Sequence, residues 1–201
     1  SLHHALSAFL SRLPRSFLGR LSRNTTSGST GEPKGAVHRH RDFAFNTEVF
    51  AKRTIGIRQD DRTLSVPKLF FGYATGTNLM FPFSVGATTC LFPERATAEE
   101  LYRQIARFSP TVLTTVPTLI NAMLQAPEAE GADLSSLRFA FSAGEALPPE
   151  LYRRGMERFG IEIYDGIGSA EMFHIYISNR PGDVTPGSLG KLVVGYQARI
   201  R

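Results

Sequence analysis

Thr111-Val-Leu-Thr-Thr-Val-Pro-Thr-Leu-Ile-Asn-Ala-Met-Leu-Gln125 sets the architecture of this 201-residue chain. Thr111 to Val116 reads as a strand, and Pro117 to Gln125 reads as a helix with proline in its first turn, where no backbone N–H is needed. The same rhythm recurs on both sides. Upstream, the strand Thr88 to Phe92 ends at Pro93 and a helix runs from Thr97 to Phe108. Downstream come the strand Arg138-Phe-Ala-Phe-Ser142, a helix from Pro148 to Phe159 and the strand Ile161 to Tyr164. This alternation predicts an α/β fold, a mostly parallel sheet covered by helices on both faces. Ligands of such sheets sit beyond the carboxyl ends of the strands, where Ser142-Ala-Gly-Glu145 and Asp165-Gly-Ile-Gly168 fall.

Nearer the start, Asp42 to Arg53 reads as a partly buried helix carrying Phe43, Phe45, Val49 and Phe50. Arg62-Thr-Leu-Ser-Val66 is a short strand stopped by Pro67, and the apolar stretch Lys68 to Phe83, interrupted by Gly72, Gly76, Thr77 and Asn78, is a buried helix or helix pair. A content of 42% hydrophobic and 20% charged residues is globular, and no eighteen-residue apolar run marks a transmembrane helix. The single cysteine, Cys90, excludes an internal disulfide, fits a reducing, cytoplasmic compartment, and sits in an apolar strand as an inert thiol. The net charge of +5 is local: Arg12, Arg15, Arg20 and Arg23 stand in an acid-free segment, and the remainder holds 19 basic against 18 acidic residues. No basic stripe interleaved with aromatics marks a nucleic-acid face.

The loop Thr26-Ser-Gly-Ser-Thr-Gly-Glu-Pro-Lys-Gly35 concentrates hydroxyls, glycines and one lysine. Gly28, Gly31 and Gly35 let backbone N–H groups approach an anion, Thr26, Ser27, Ser29 and Thr30 add hydroxyl donors, and Lys34 supplies positive charge. It is not a Walker A loop, because only two residues separate Gly28 from Gly31 and Lys34 precedes Gly35 rather than Ser or Thr. Pro33-Lys34-Gly35 separates it from a plain flexible linker. A second informative stretch is Tyr164-Asp-Gly-Ile-Gly-Ser-Ala-Glu-Met-Phe-His174. Its glycines would let a planar ring or ribose approach the backbone, and Glu171 could hold a divalent metal against phosphate oxygens; a glycine-rich turn before an edge strand is the alternative reading.

The loop resembles the signature of the adenylate-forming superfamily, the acyl-CoA synthetases and AMP-dependent ligases, which reads Thr-Ser-Gly-Ser/Thr-Thr-Gly-x-Pro-Lys-Gly. Further motifs resemble its benzoate-CoA ligase branch, in register from Thr26 to about Arg201: Lys68 to Tyr73, Val85 to Thr88, Val116 to Thr118, Ser142 to Leu147 and Asp165 to Met172. The resemblance implies a two-step ligase in which a benzoate-like aromatic carboxylate attacks the α-phosphate of ATP, and coenzyme A then displaces AMP from the acyl adenylate. It implies that Thr26, Ser27, Gly28, Ser29, Thr30, Gly31 and Lys34 clamp the phosphates, with Lys34 and Glu171 in catalytic roles and Glu171 the Mg2+ ligand. Gly144, Glu145 and Ala146 would line the adenine, with Asp165, Gly166, Ile167, Gly168, Ser169 and Ala170 completing the AMP site. The acyl pocket would use Gly72, Tyr73, Gly168, His174 and Ile175. His174 rests on the resemblance, since a lone histidine beside an apolar run is more often packing or surface.

Three departures stand out. Ala170 replaces a threonine whose hydroxyl lies near the AMP phosphate, Ile167 replaces an adenine-stacking ring as in the benzoate branch, and Gly72 replaces an alanine of the acyl pocket. An acid larger or more polar than benzoate becomes plausible. Residues 1–24 have the composition of an organellar transit peptide, but the loop follows too closely, and Arg20-Leu-Ser-Arg-Asn24 is not the hydrophobic strand that family members place before it. The expectation is an atypical basic segment over 1–24, a partial AMP-binding domain over 25–201, and an absent carboxyl-terminal catalytic domain together with the rest of the polypeptide. The isolated chain would then be nearly inactive. The alternatives are a non-catalytic nucleotide or acyl-adenylate binding module, and an adenylating enzyme that delivers its acyl group to a carrier protein.

Overall fold

The computed structural model describes residues 20–26 and 34–199. β1 (Arg20–Thr26) and β2 (Lys34–Arg39) pair antiparallel as a separate ribbon, with Thr26 opposite Lys34. The polar run Arg20–Asn24 is therefore a strand, though not a hydrophobic one. Backbone pairing with β2 holds it extended without the hydrophobic run that a central strand requires.

The main sheet comprises β3 (Arg62–Ser65), β4 (Thr88–Cys90), β5 (Val112–Thr115), β6 (Phe139–Ser142), β7 (Glu162–Gly168), β8 (Ile175–Ser178) and β9 (Lys191–Leu192). Their spatial order is β4-β3-β5-β6-β7-β8-β9; the pairs from β4 to β7 are parallel, and β8 and β9 add antiparallel. Every residue of β5 and β6 is buried, as expected of central strands covered on both faces.

Helices fill the connections: α1 (His40–Asn46), continuing as a π-helical turn over Thr47–Lys52; α2 (Gly72–Thr75), a π-helical turn over Gly76–Met80, and α3 (Phe81–Val85); then α4 (Ala98–Phe108), α5 (Pro117–Gln125) and α6 (Pro149–Phe159). Local chemistry sets several ends. Thr97 caps α4 by accepting from the Glu100 N–H at 3.2 Å, prolines open α5 and α6, and Gly160, at φ 70°, closes α6.

Alternate strand residues feed two cores. Leu64, Leu113, Ala140 and Ile163 pack with Leu101, Ile105, Ile120 and Met123 of α4 and α5, whereas Val112, Phe139, Phe141 and Tyr164 pack with Val49, Phe50 and Phe81. Full burial of Phe50 alone is worth about 2–3 kcal/mol. Gly155 lets α6 approach β7, because a Cβ there would stand 2.7 Å from Ile163 Cδ1. The apolar helix expected from Lys68 begins only at Gly72, and Phe70, Phe71 and Phe83 around it are exposed.

The strand expected to stop at Tyr164 runs on to Gly168, so Asp165-Gly-Ile-Gly168 lies inside β7 rather than in a turn. The glycines account for this. A Cβ on Gly166 would meet the Ile177 carbonyl oxygen at 2.8 Å and one on Gly168 the His174 carbonyl oxygen at 2.7 Å, so β8 could not otherwise pair there.

At the opposite, amino end of the sheet, the buried Asp61 carboxylate accepts bonds from Arg138 Nε at 2.9 Å and Nη2 at 2.7 Å, Thr111 Oγ1 at 2.7 Å and the Arg58 N–H at 2.7 Å. Burial pushes its pKa up, but the bonds to Arg138, Thr111 and Arg58 outweigh that and hold it below the usual carboxylate value.

Candidate functional site

A cavity of about 450 Å³ opens at the carboxyl end of the sheet. It gathers Gly72 and Tyr73 from α2, Gly144 from the loop after β6, Gly168, Ser169 and Ala170 from the end of β7, and His174 and Ile175 at the start of β8. Thus residues distant in sequence share one wall because β6, β7 and β8 are neighbours. Gly144 stands at φ 89°, a conformation that favours glycine, with open space where a Cβ would be.

His174 is almost wholly buried at the apolar side of this cavity. Nε2 carries the ring proton, because its 3.0 Å partner, the Tyr73 carbonyl, can only accept. Nδ1 is buried and has no hydrogen-bond partner among the described residues. The rings of Phe50, Tyr73 and Phe81 lie 5.4, 5.7 and 4.8 Å away, centroid to centroid. Burial pushes the imidazole down to about 4, with the Tyr73 bond opposing, so the ring is neutral near pH 7. Gly76 makes room for it: a Cβ there would stand 2.5 Å from His174 Cδ2 and Nε2. The π-helical turn begins at that glycine.

Next to the cavity the sheet changes character. Leu113, Ala140 and Ile163 form a buried apolar row across β5, β6 and β7; two residues on, Thr115, Ser142 and Asp165 form a polar row in the same register and therefore on the same face. Thr115 Oγ1, Ser142 Oγ and Asp165 Oδ1 are all buried without hydrogen-bond partners among the described residues, and the Tyr73 hydroxyl is in the same condition. Asp165 Oδ2 accepts the Leu147 N–H at 3.3 Å, which anchors the loop holding Gly144. Burial raises the Asp165 pKa; the nearby Ser142 hydroxyl, which makes no well-formed bond, and the Leu147 and Gly166 amides oppose it only in part. Burial also pushes the Tyr73 hydroxyl well up, and the Asp165 charge adds to the effect. Buried polar groups left open in this way are unusual in a finished core and suit a surface that receives a polar ligand.

Residues 24–201 match the family described as AMP-binding enzyme. The chain belongs to that family. It is 47% identical over 175 residues, 87% of its length, to the benzoate–CoA ligase of Thauera aromatica, of which it spans 33%. Its fold matches an anthranilate CoA ligase, AuaEII, in complex with anthranoyl-AMP at a TM-score of 0.86 and 46% identity, over 90% of this chain and 35% of that one. It matches a benzoate CoA ligase from Burkholderia xenovorans LB400 at a TM-score of 0.83 and 41% identity, over 90% of this chain and 36% of that one. The chain spans about a third of the length of the curated relatives it matches.

Against the motifs of this AMP-binding family, the cavity unites all the acyl-pocket residues expected from sequence, Gly72, Tyr73, Gly168, His174 and Ile175, with Gly144, Ser169 and Ala170 of the nucleotide set. Glu145, Ala146 and Ile167 are exposed, and Glu171 stands exposed on the turn after β7. The Glu145 carboxylate is already engaged, accepting the N–H of Thr118 at 3.2 Å and its hydroxyl at the start of α5. The backbone of Thr26 and Lys34 closes the β1–β2 ribbon, while Ser27, Gly28, Ser29, Thr30 and Gly31 lie outside the described residues.

The sequence reading missed Phe70, Phe71, Ala143 and Phe173, which also line the cavity. Phe70 and Phe71 immediately precede Gly72-Tyr73, and the large exposed faces of both rings could have signalled them only once the start of α2 was known. No group of three His, Cys, Asp or Glu that could hold a metal by itself occurs among the described residues, and none of their helices is long and apolar enough to cross a membrane.

Proposed function

We propose that this chain is the nucleotide- and acyl-binding part of an AMP-forming ligase that activates an aromatic carboxylate as its acyl adenylate and transfers it to coenzyme A. The observation that carries the reading is the single cavity with an apolar wall of Tyr73, His174 and Ile175 and a polar wall of Gly144, Ser169 and Ala170. Its volume is that of a small-ligand site.

In this reading the aryl ring lies against the wall formed by Gly72, Tyr73 and the neutral His174, so no charge repels or captures the ring there. Asp165, Gly166 and Ile167 flank the adenine beside Gly144, Glu145 and Ala146. The carboxylate oxygen bonds to the α-phosphorus as the bond to pyrophosphate breaks; the coenzyme A sulfur then bonds to the acyl carbon as AMP leaves. Positioning the two reactants accounts for most of what these residues do. Thr26 to Gly31 and Lys34 hold the phosphates.

Glu171 is exposed and makes no hydrogen bond or ion pair among the described residues, which fits a magnesium ion shared with nucleotide phosphates rather than caged by protein. Bound there, magnesium would neutralise charge on the phosphate oxygens. Calorimetric titration of the purified chain with AMP, benzoate and a non-hydrolysable benzoyl-AMP analogue tests the site. The analogue should bind at least tenfold tighter than AMP; equal affinity, or none, overturns the assignment.

A further inference from the structure

Glu171 stands on a turn whose carbonyls on both sides are held from outside. The Ala170 carbonyl accepts His38 Nε2 at 2.5 Å, and His38 is buried on β2, the strand that leaves the phosphate loop. The Met172 carbonyl accepts the Tyr196 hydroxyl at 3.2 Å, and that hydroxyl in turn accepts Asn46 Nδ2 of α1 at 3.0 Å. Within the turn, the Phe173 N–H returns to the Ala170 carbonyl at 3.2 Å and the Met172 N–H donates to Ser169 Oγ at 3.4 Å. Phe173 sits at φ 72°, unusual for a residue with a side chain, and its ring packs edge-on against His38 at 5.1 Å and Phe43 at 4.9 Å. Asp42 Oδ2 lies 3.4 Å from His38 Nδ1 and accepts the Arg39 N–H at 2.9 Å.

An exposed, unpaired carboxylate has no folding need for such a mount. A carboxylate that must meet a cation already tied to phosphate oxygens does, because small displacements weaken charge-assisted contacts steeply. We propose that His38 and Tyr196 are positioning residues that hold Glu171 for a divalent cation carried by the bound nucleotide. His38 has the larger part because it ties the turn to the strand leaving the phosphate loop. The inference rests on the proposed nucleotide site.

The test uses the 201-residue chain with three substitutions. His38→Phe keeps a ring against Phe173 but loses the donor, His38→Gln restores an N–H donor, and Tyr196→Phe keeps its ring against Phe45, 5.2 Å away, but loses the hydroxyl. Affinities for AMP, ATP and MgATP are measured by calorimetry, and amide exchange at Phe173 is followed without ligand. In His38→Phe, AMP affinity should stay within about twofold, the tightening of ATP by Mg2+ should fall about tenfold or more, and Phe173 exchange should quicken about tenfold. Tyr196→Phe should shift both readouts less, and His38→Gln should recover most of the loss. A parallel loss for AMP and MgATP, or no change in either, overturns the proposal. Unchanged Phe173 exchange overturns the mount whether or not nucleotide binds, whereas faster exchange in a chain whose unaltered form binds no nucleotide defeats the site reading and keeps the mount.

Discussion

The two ends of the parallel sheet use the same residue types to opposite effect. At the amino end, Asp61 is buried, Thr111 beside it is half-buried, and both are bonded throughout: both carboxylate oxygens are engaged, and the Thr111 hydroxyl donates to Asp61 while accepting the Arg62 N–H at 3.0 Å. At the carboxyl end, Asp165 and Thr115 are also buried, yet Asp165 Oδ1 and Thr115 Oγ1 have no partner among the described residues. The carboxylate pKa is held down at one end and pushed up at the other. A completed network serves the fold, and an incomplete one leaves free energy to be recovered when a ligand arrives.

The strongest way to break this comparison is one substitution made at each end. Asp61→Asn strands the Arg138 guanidinium and should cost about 4 kcal/mol, read as a fall in the urea midpoint. Asp165→Asn keeps an acceptor for Leu147 and removes a charge that the fold disfavours, so it should leave stability unchanged or raise it by about 0.5–1 kcal/mol while weakening nucleotide binding. A large loss at both positions would erase the distinction.

Acid should separate the ends by pH. His174 titrates near 4 when folded against an ordinary value of 6.5, so the unfolded chain binds that proton first. Stability contributed there is complete above about pH 6.5, falls by about 3 kcal/mol as pH drops towards 4, and then levels off. The Asp61 contribution, from a depressed carboxylate, is present above about pH 3.9 and is lost only below that. Asp165, raised, acts in the opposite sense just above 3.9, so the difference between the parent chain and His174→Gln isolates the imidazole. Denaturant midpoints that stay flat between pH 7 and 4.5 in both proteins would contradict the buried neutral ring.

Gly76→Ala probes the cavity wall. The added methyl should displace His174 from the Tyr73 carbonyl, cost about 2 kcal/mol by thermal melting, and weaken an aroyl-AMP analogue more than AMP. The mildest comparison pairs two isosteric changes. Thr111→Val should lose about 1–2 kcal/mol with its bonded hydroxyl, whereas Thr115→Val removes an unpartnered one and should fall within about 0.5 kcal/mol of zero.

The sequence was a good guide wherever one local signal decided the outcome. Pro117 and Gln125 bound α5 as expected, α4 and α6 each begin one residue late, and the apolar runs of β5 and β6 form strands that are buried throughout. The acyl-pocket residues taken from motif resemblance do meet in one cavity. It misled where the decisive partner lay elsewhere. Nothing in Arg20–Thr26 shows that β2 will pair with it, and nothing in Asp165–Gly168 shows that β8 will fill the space left by its glycines.

By itself, then, the sequence determined the alternation of strands and helices, the covering of the sheet on both faces and the family motifs, because periodicity, prolines and glycines act over a few residues. Only the tertiary structure decided which polar groups are completed and which stay open. Asp61 and Asp165 look alike in a sequence, and they differ because Arg138, Thr111 and Arg58 converge on one while the register of three strands leaves an oxygen of the other unpaired. The link from His38 to Ala170, 132 residues apart, is of the same kind, since it exists only because the ribbon lies against the turn after β7.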